Sequence, residues 1–203
     1  MPLGAARAAS AGRARVRAEW GVGDDEVVIG AVANYRPQKG YPDLLSAART
    51  VIDEGLPVRF VAIGQGPLEG EIKRRHAELA LGDRFRLLGY HPNPFAVLAG
   101  CDVFVMASLY EGYSVALMEA LAMALPVVAT SVGGVPDAIG DGKEGLIVPP
   151  GRPELLARAL LELVGDAERR KQMASAAWAR AARYDIGVAV RRIESAYRDV
   201  CNA

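Results

Sequence analysis

A chain of 203 residues that is 51% hydrophobic can bury one substantial core, and its length allows one domain or at most two small ones. With 24 basic residues against 24 acidic ones there is no global field to draw nucleic acid or an anionic bilayer, so no nucleic-acid partner is expected. The local run Lys73, Arg74, Arg75, His76 reads as an exposed helix face.

The first twenty residues carry four arginines and seven alanines without an apolar core segment, which is not the pattern of a secretory signal. Residues 1–26 are expected to be a short helix or a loose lead-in, and residues 27–203 a single domain. From Val27 onward, short apolar runs alternate with segments of helical period, the order strand, crossover helix, parallel strand. Strands are predicted at 27–34, 58–64, 84–89, 102–108, 126–130 and 145–149, with helices near 42–54, 67–80, 93–99, 114–124 and 135–139. Most of these strands are apolar throughout, which implies a sheet covered on both faces. The expectation is an α/β fold, a Rossmann-like doubly wound parallel sheet of about six strands. After Pro150 the composition shifts to helix formers, and three C-terminal helices separated by Gly165-Asp166 and Tyr184-Asp185 are expected to close it.

Several chemistries lack their residues. A dinucleotide fingerprint belongs directly after the first strand, where this chain has "ANYRPQKG"; Gly64, Gly66 and Gly70 follow the second strand at the wrong spacing and suit a plain turn. There is no nucleophile elbow, and neither His76 nor His91 has an evident triad partner. No D-x-D pair or H-x-x-x-H is present to hold a metal. Cys101 and Cys201 lie a hundred positions apart without a C-x-x-C spacing, which fits a reducing cytosol and no disulfide scaffold.

Two loops are informative. "NYRPQKGYPD" places Arg36 and Lys39 at the carboxyl edge of the sheet, just before a helix that begins near Tyr41. Two cations and a helix N-terminus suit a pyrophosphate, although the same loop can be a solvated turn. The second is "SLYEGYSVALMEALAMALPVVATSVGG", Ser108 to Gly134, where Glu119 is the one charge in an apolar run and follows Glu111 by eight residues. Ser114 is the expected N-cap, which puts Glu111, Gly112 and Tyr113 in the loop and Glu119 in the second turn, roughly 7 to 8 Å further along the axis. The two carboxylates then flank a helix N-terminus at about the separation of a sugar ring and a ribose across a diphosphate. The competing account has Glu111 favouring the helix end and Glu119 pointing to solvent, but a solvated face should hold more than one charge in that stretch.

"EGYSVALMEALAMALPVVATSVGGVPD" closely resembles the E-x7-E region of retaining, family 4-type glycosyltransferases, also described as glycosyl transferases group 1. The likeness continues through "VIGAVANYRPQKGY", "FVAIGQGP", "FRLLGY", "DVFVMASLYEG", "DGKEGLIVPPG" and the helical tail. The resemblance implies one half of a GT-B fold, the C-terminal half, with a nucleoside diphosphate sugar as the donor and a hydroxyl compound as the acceptor. Carried over by position, Glu119 would bind the ribose hydroxyls and Glu111 the donor sugar. Gly112, Tyr113, Ser114 and Val115 would hold phosphate and sugar through backbone amides, Lys39 the pyrophosphate, and Gly89, Tyr90 and His91 the base. Glu111 and Lys39 are thereby the candidate catalytic residues, and no cofactor or metal is implied. The family often has Arg where this chain has Asn34, with Arg36 two residues later, so Arg36 is carried as a candidate for the phosphate. Such enzymes also have an N-terminal acceptor-binding domain of comparable size, so a missing domain or partner subunit is expected, in the cytoplasm and as far as the inner membrane face. An epimerase of the same fold and a non-catalytic nucleotide-sugar-binding subunit are the alternatives.

Overall fold

The computed structural model describes residues 3–201. Two helices, α1 (Leu3–Ser10) and α2 (Arg13–Glu19), precede β1 (Val27–Val32). There follow α3 (Tyr41–Asp53), β2 (Val58–Ile63), α4 (Glu69–Glu78), β3 (Phe85–Gly89), α5 (Pro94–Leu98) and β4 (Val103–Met106). The second half holds α6 (Val115–Ala122), β5 (Val127–Thr130), α7 (Val135–Ala138), β6 (Gly145–Val148), α8 (Pro153–Gly165), α9 (Ala167–Ala181) and α10 (Ile186–Cys201). The six strands form one sheet in the order β3-β2-β1-β4-β5-β6, and every pair is parallel. This is the expected doubly wound α/β architecture.

Alternation along every strand but the edge strand β3 feeds two cores. Val27, Ile29 and Ala31 enter one apolar cluster with α3, α4 and α8, while Val28 enters the other with α5, α6 and α7. That is why the strands are apolar on both faces. The sheet divides between β1 and β4, where the chain stops adding strands on one side and starts on the other. Crevices beyond the carboxyl ends of strands open at such a point.

The first 26 residues contribute to the second cluster through Ala6, Val16 and Trp20. Arg17, almost fully buried, donates to Asp102 Oδ2 at 2.9 Å and to the carbonyls of Gly23 and Glu26. Asp102 also accepts from Arg13 and from the Val28 amide, so one carboxylate ties α2 to the sheet.

Three details differ from expectation. The strands are one to three residues shorter than their apolar runs, most at β1 and β4, where Ala33, Asn34, Ala107 and Ser108 have already left the sheet to build loops. His76 departs from its basic run: its ring meets the Phe85 carbonyl at 2.6 Å and packs edge-on to the Phe85 ring, while Lys73, Arg74 and Arg75 are exposed. Of the three C-terminal helices, α8 and α9 close the cores, whereas Ile186, Val190, Ile193, Tyr197 and Val200 of α10 face outward. Among the described residues no helix is long and apolar enough to cross a membrane.

Candidate functional site

A cleft of about 410 Å³ lies at the carboxyl edge of the sheet, over the division between β1 and β4. Its size is within the range of small-molecule sites, roughly 300 to 1,000 Å³. Val32, Ala33, Asn34 and Lys39 line it from the end of β1 onward, Ile63 and Gly64 at the end of β2, and Tyr90, His91 and Pro94 after β3. The far wall is the loop after β4 and the start of α6: Glu111, Tyr113, Ser114, Val115, Ala116 and Glu119.

Local rules place this wall. Ser114 is in the extended region and its hydroxyl accepts from the Leu117 amide at 3.3 Å, so it caps α6 as its sequence position suggests. No acidic residue occupies the first turn of α6, which leaves the positive end of the helix facing the cleft at Val115 and Ala116. Glu119 sits one turn further in. Its carboxylate is half-buried, and among the described residues it has neither a hydrogen-bond donor nor a cation beside it. Burial without a partner raises its pKa above the ordinary carboxylate value.

The other carboxylate is paired. Glu111 and Lys39 form an ion pair through Oε1, with only 9% of the Glu111 side chain and 22% of the Lys39 side chain exposed. The Ser108 hydroxyl donates to the same oxygen at 3.0 Å. Two loops must meet for this, and the backbone stitches them: Leu109 and Tyr110 amides donate to the Gln38 carbonyl at 2.8 and 3.4 Å. Gly40 lies against the Ala107 carbonyl with φ of 63°, and a Cβ there would sit 1.9 Å from that oxygen. Only glycine permits both the dihedral and the approach.

The remaining candidates fall into two groups. Tyr90 is 65% exposed at the rim, and His91 turns its Nδ1 toward the Asn93 amide at 3.1 Å. Tyr113 stands above Gly134 and contacts the Tyr184 ring at 6.3 Å, and a hydrogen bond with Tyr184 raises its phenol pKa. Gly89, Gly112 and Arg36 do not line the cleft. The Gly89 carbonyl is taken by the Gly64 amide at 2.9 Å, and the Gly112 carbonyl by the Gly134 amide at 2.9 Å. Arg36 borders an adjoining depression with Asn34, Gln65, Gly66 and Glu69. The structure thus brings Lys39, but not Arg36, to Glu111 and into the cleft that Glu119 also lines. Asn34, Gly64, Pro94 and Ala116 join the wall without having been singled out for it, and their signal was position alone, at strand ends and at a helix start. Among the described residues no group of three or more His, Cys, Asp or Glu gathers to hold a metal ion.

Comparison with known proteins agrees with this geometry. The chain is 31% identical over 191 residues to the alpha-D-kanosaminyltransferase of Streptomyces kanamyceticus, covering 93% of this chain and 49% of that protein. It therefore spans about half the length of that relative. The Anabaena protein HepE, crystallised in complex with UDP, superposes with a TM-score of 0.88 at 22% identity, over 98% of this chain and 56% of that one. The C-terminal domain of a glycosyl transferase group 1 family protein from Francisella tularensis superposes with a TM-score of 0.77 at 22% identity, covering 86% of this chain and 93% of that one. At such identities both likenesses speak to the fold. The family model described as glycosyl transferases group 1 matches residues 12–180, and the chain belongs to that family.

Proposed function

We propose that this chain is the C-terminal, donor-binding half of a two-lobed retaining glycosyltransferase. It binds a nucleoside diphosphate sugar and presents the sugar to a hydroxyl acceptor held by another lobe or subunit. The observation that carries this reading is Glu119, a half-buried carboxylate without a partner among the described residues, on the wall of a cleft that also holds a helix N-terminus and a lysine. An unpartnered carboxylate there is costly unless a ligand supplies donors, and vicinal ribose hydroxyls are suitable ones. The UDP complex of the Anabaena protein and the sugar-transfer names of the relatives support the ligand class.

The chemistry follows from where charge develops. When the bond from the anomeric carbon to the diphosphate oxygen breaks, negative charge grows on the departing diphosphate. The amides at the start of α6 face the cleft where that charge forms, and the Lys39 ammonium beside them turns from Glu111 to the phosphate. In the free chain Glu111 holds Lys39 in place, so the cation is positioned before any phosphate arrives. Glu111 in turn faces the transferred sugar. Tyr90 and His91 border the end of the cleft assigned to the base.

A thermal-shift screen of nucleoside diphosphates and their sugars tests this reading. A ligand at a hundredfold excess over its Kd adds about 2.7 kcal/mol of stability, which a melting curve resolves. A flat response to UDP, GDP, ADP and their sugar derivatives would overturn it. For Lys39→Ala, removal of a charge-assisted contact lowers nucleotide affinity by about 1.5 to 3 kcal/mol in calorimetry. Affinity equal to that of the unsubstituted chain would make Lys39 an ordinary partner of Glu111 and nothing more.

A further inference from the structure

Ser108 follows β4 with 0% of its surface exposed, and its hydroxyl is used on Glu111 rather than on its own backbone. Its carbonyl accepts from the Thr130 hydroxyl at 2.6 Å, and Thr130, the last residue of β5, is buried too. A relay of two buried hydroxyls therefore runs from the sheet to the carboxylate: Thr130 holds the backbone of Ser108, and Ser108 holds Glu111. The bonds from Ser108 and Lys39 both fall on Oε1, and neither involves Oε2. Lys39 is also the cation a diphosphate would attract. Once its ammonium turns to a phosphate, Ser108 is the donor left on Oε1.

We propose that Ser108 is a positioning residue for Glu111, with Thr130 as its anchor. Together they keep Oε1 engaged, and Oε2 directed to the donor sugar, while Lys39 is drawn to the diphosphate. This assignment rests on the nucleotide-sugar reading above. A carboxylate free to rotate would lose part of its contact with the sugar and none with the nucleotide, because Glu111 meets only the former in that reading.

Calorimetry on the 203-residue chain tests it with UDP, GDP and ADP and the glucose derivative of each. For the pair that binds, Ser108→Ala should raise the Kd of the sugar derivative about tenfold and leave that of the bare diphosphate within about twofold. Thr130→Val should shift the same ratio in the same direction, and Thr130→Ser, which keeps the hydroxyl, should restore it. Should Ser108→Ala fail to fold, the Val and Ser variants at 130 carry the test. A lower melting temperature with the ligand ratio unchanged would make both hydroxyls purely structural and overturn the assignment. Binding of none of the six compounds by the unsubstituted chain would instead overturn the nucleotide-sugar reading, and the positioning role with it.

Discussion

Glu119→Ala is expected to weaken a bare nucleoside diphosphate and its sugar derivative by the same factor, because both carry the ribose. Two charge-assisted hydrogen bonds from vicinal hydroxyls are worth together about 3 to 5 kcal/mol, a loss of more than about a hundredfold. Glu111→Ala should behave differently, weakening the sugar derivative and leaving the diphosphate nearly unchanged. The ratio of the two dissociation constants therefore separates the carboxylates. It stays fixed for one and shifts for the other.

Stability supplies a second sign. The Glu119 pKa is raised in the folded chain by burial, so the folded state holds its proton at pH values where the unfolded chain has lost it. The stabilising contribution of this group is complete below the unfolded value and is lost as pH rises through the folded one. Glu119→Gln should consequently raise the melting temperature of the free chain at pH 7, and the gain should vanish as pH falls below the ordinary carboxylate range. A variant that binds worse yet melts higher is the mark of a site held ready for a ligand. Glu119→Gln melting below the unsubstituted chain at neutral pH, with both ligands bound normally, would return Glu119 to a surface charge.

The order of elements was legible because strand and helix periods are local properties, and a sheet covered on both faces writes apolar residues at every strand position. The ends of strands were not, since Ala33 and Ala107 are as apolar as the residues before them; what removes them from the sheet is the loops they enter. The cap at Ser114 was readable from a four-residue window, whereas the Lys39 pair with Glu111 spans 72 positions and the Thr130 bond to Ser108 spans 22. No periodicity says which loops will touch. Arg36 shows the same limit at short range. It stands three residues from Lys39 but has extended dihedrals ahead of a short 3-10 turn, so the two side chains leave the loop in different directions. Position in the sequence said that a cation was near the edge of the sheet, and backbone conformation decided which one.

Gly133→Ala is expected to be severely damaging at the site. Its φ is 51°, where an L side chain is strained, and a Cβ would stand 2.0 Å from the Glu111 carbonyl oxygen and 2.8 Å from that of Gly112. Both obstacles are backbone, so no side-chain rotation relieves them. The left-handed dihedral alone costs roughly 1 to 2 kcal/mol, and displacing the loop forfeits the Gly134 bond to Gly112, so the total exceeds about 3 kcal/mol. The loop that must move carries Glu111, so its pairing with Lys39 and Ser108 goes with it. Chemical denaturation should therefore show a large fall in midpoint. Whatever folded fraction remains should discriminate poorly between a nucleoside diphosphate and its sugar derivative. Gly70→Ala is the matched control: it lies in α4 with nothing within 4 Å of an added Cβ, and a helix former there should stabilise the chain by up to about 1 kcal/mol. If Gly133→Ala unfolds within about 0.5 kcal/mol of the unsubstituted chain, close to the scatter of ordinary surface changes, then the loop bearing Glu111 is not clamped against Gly133.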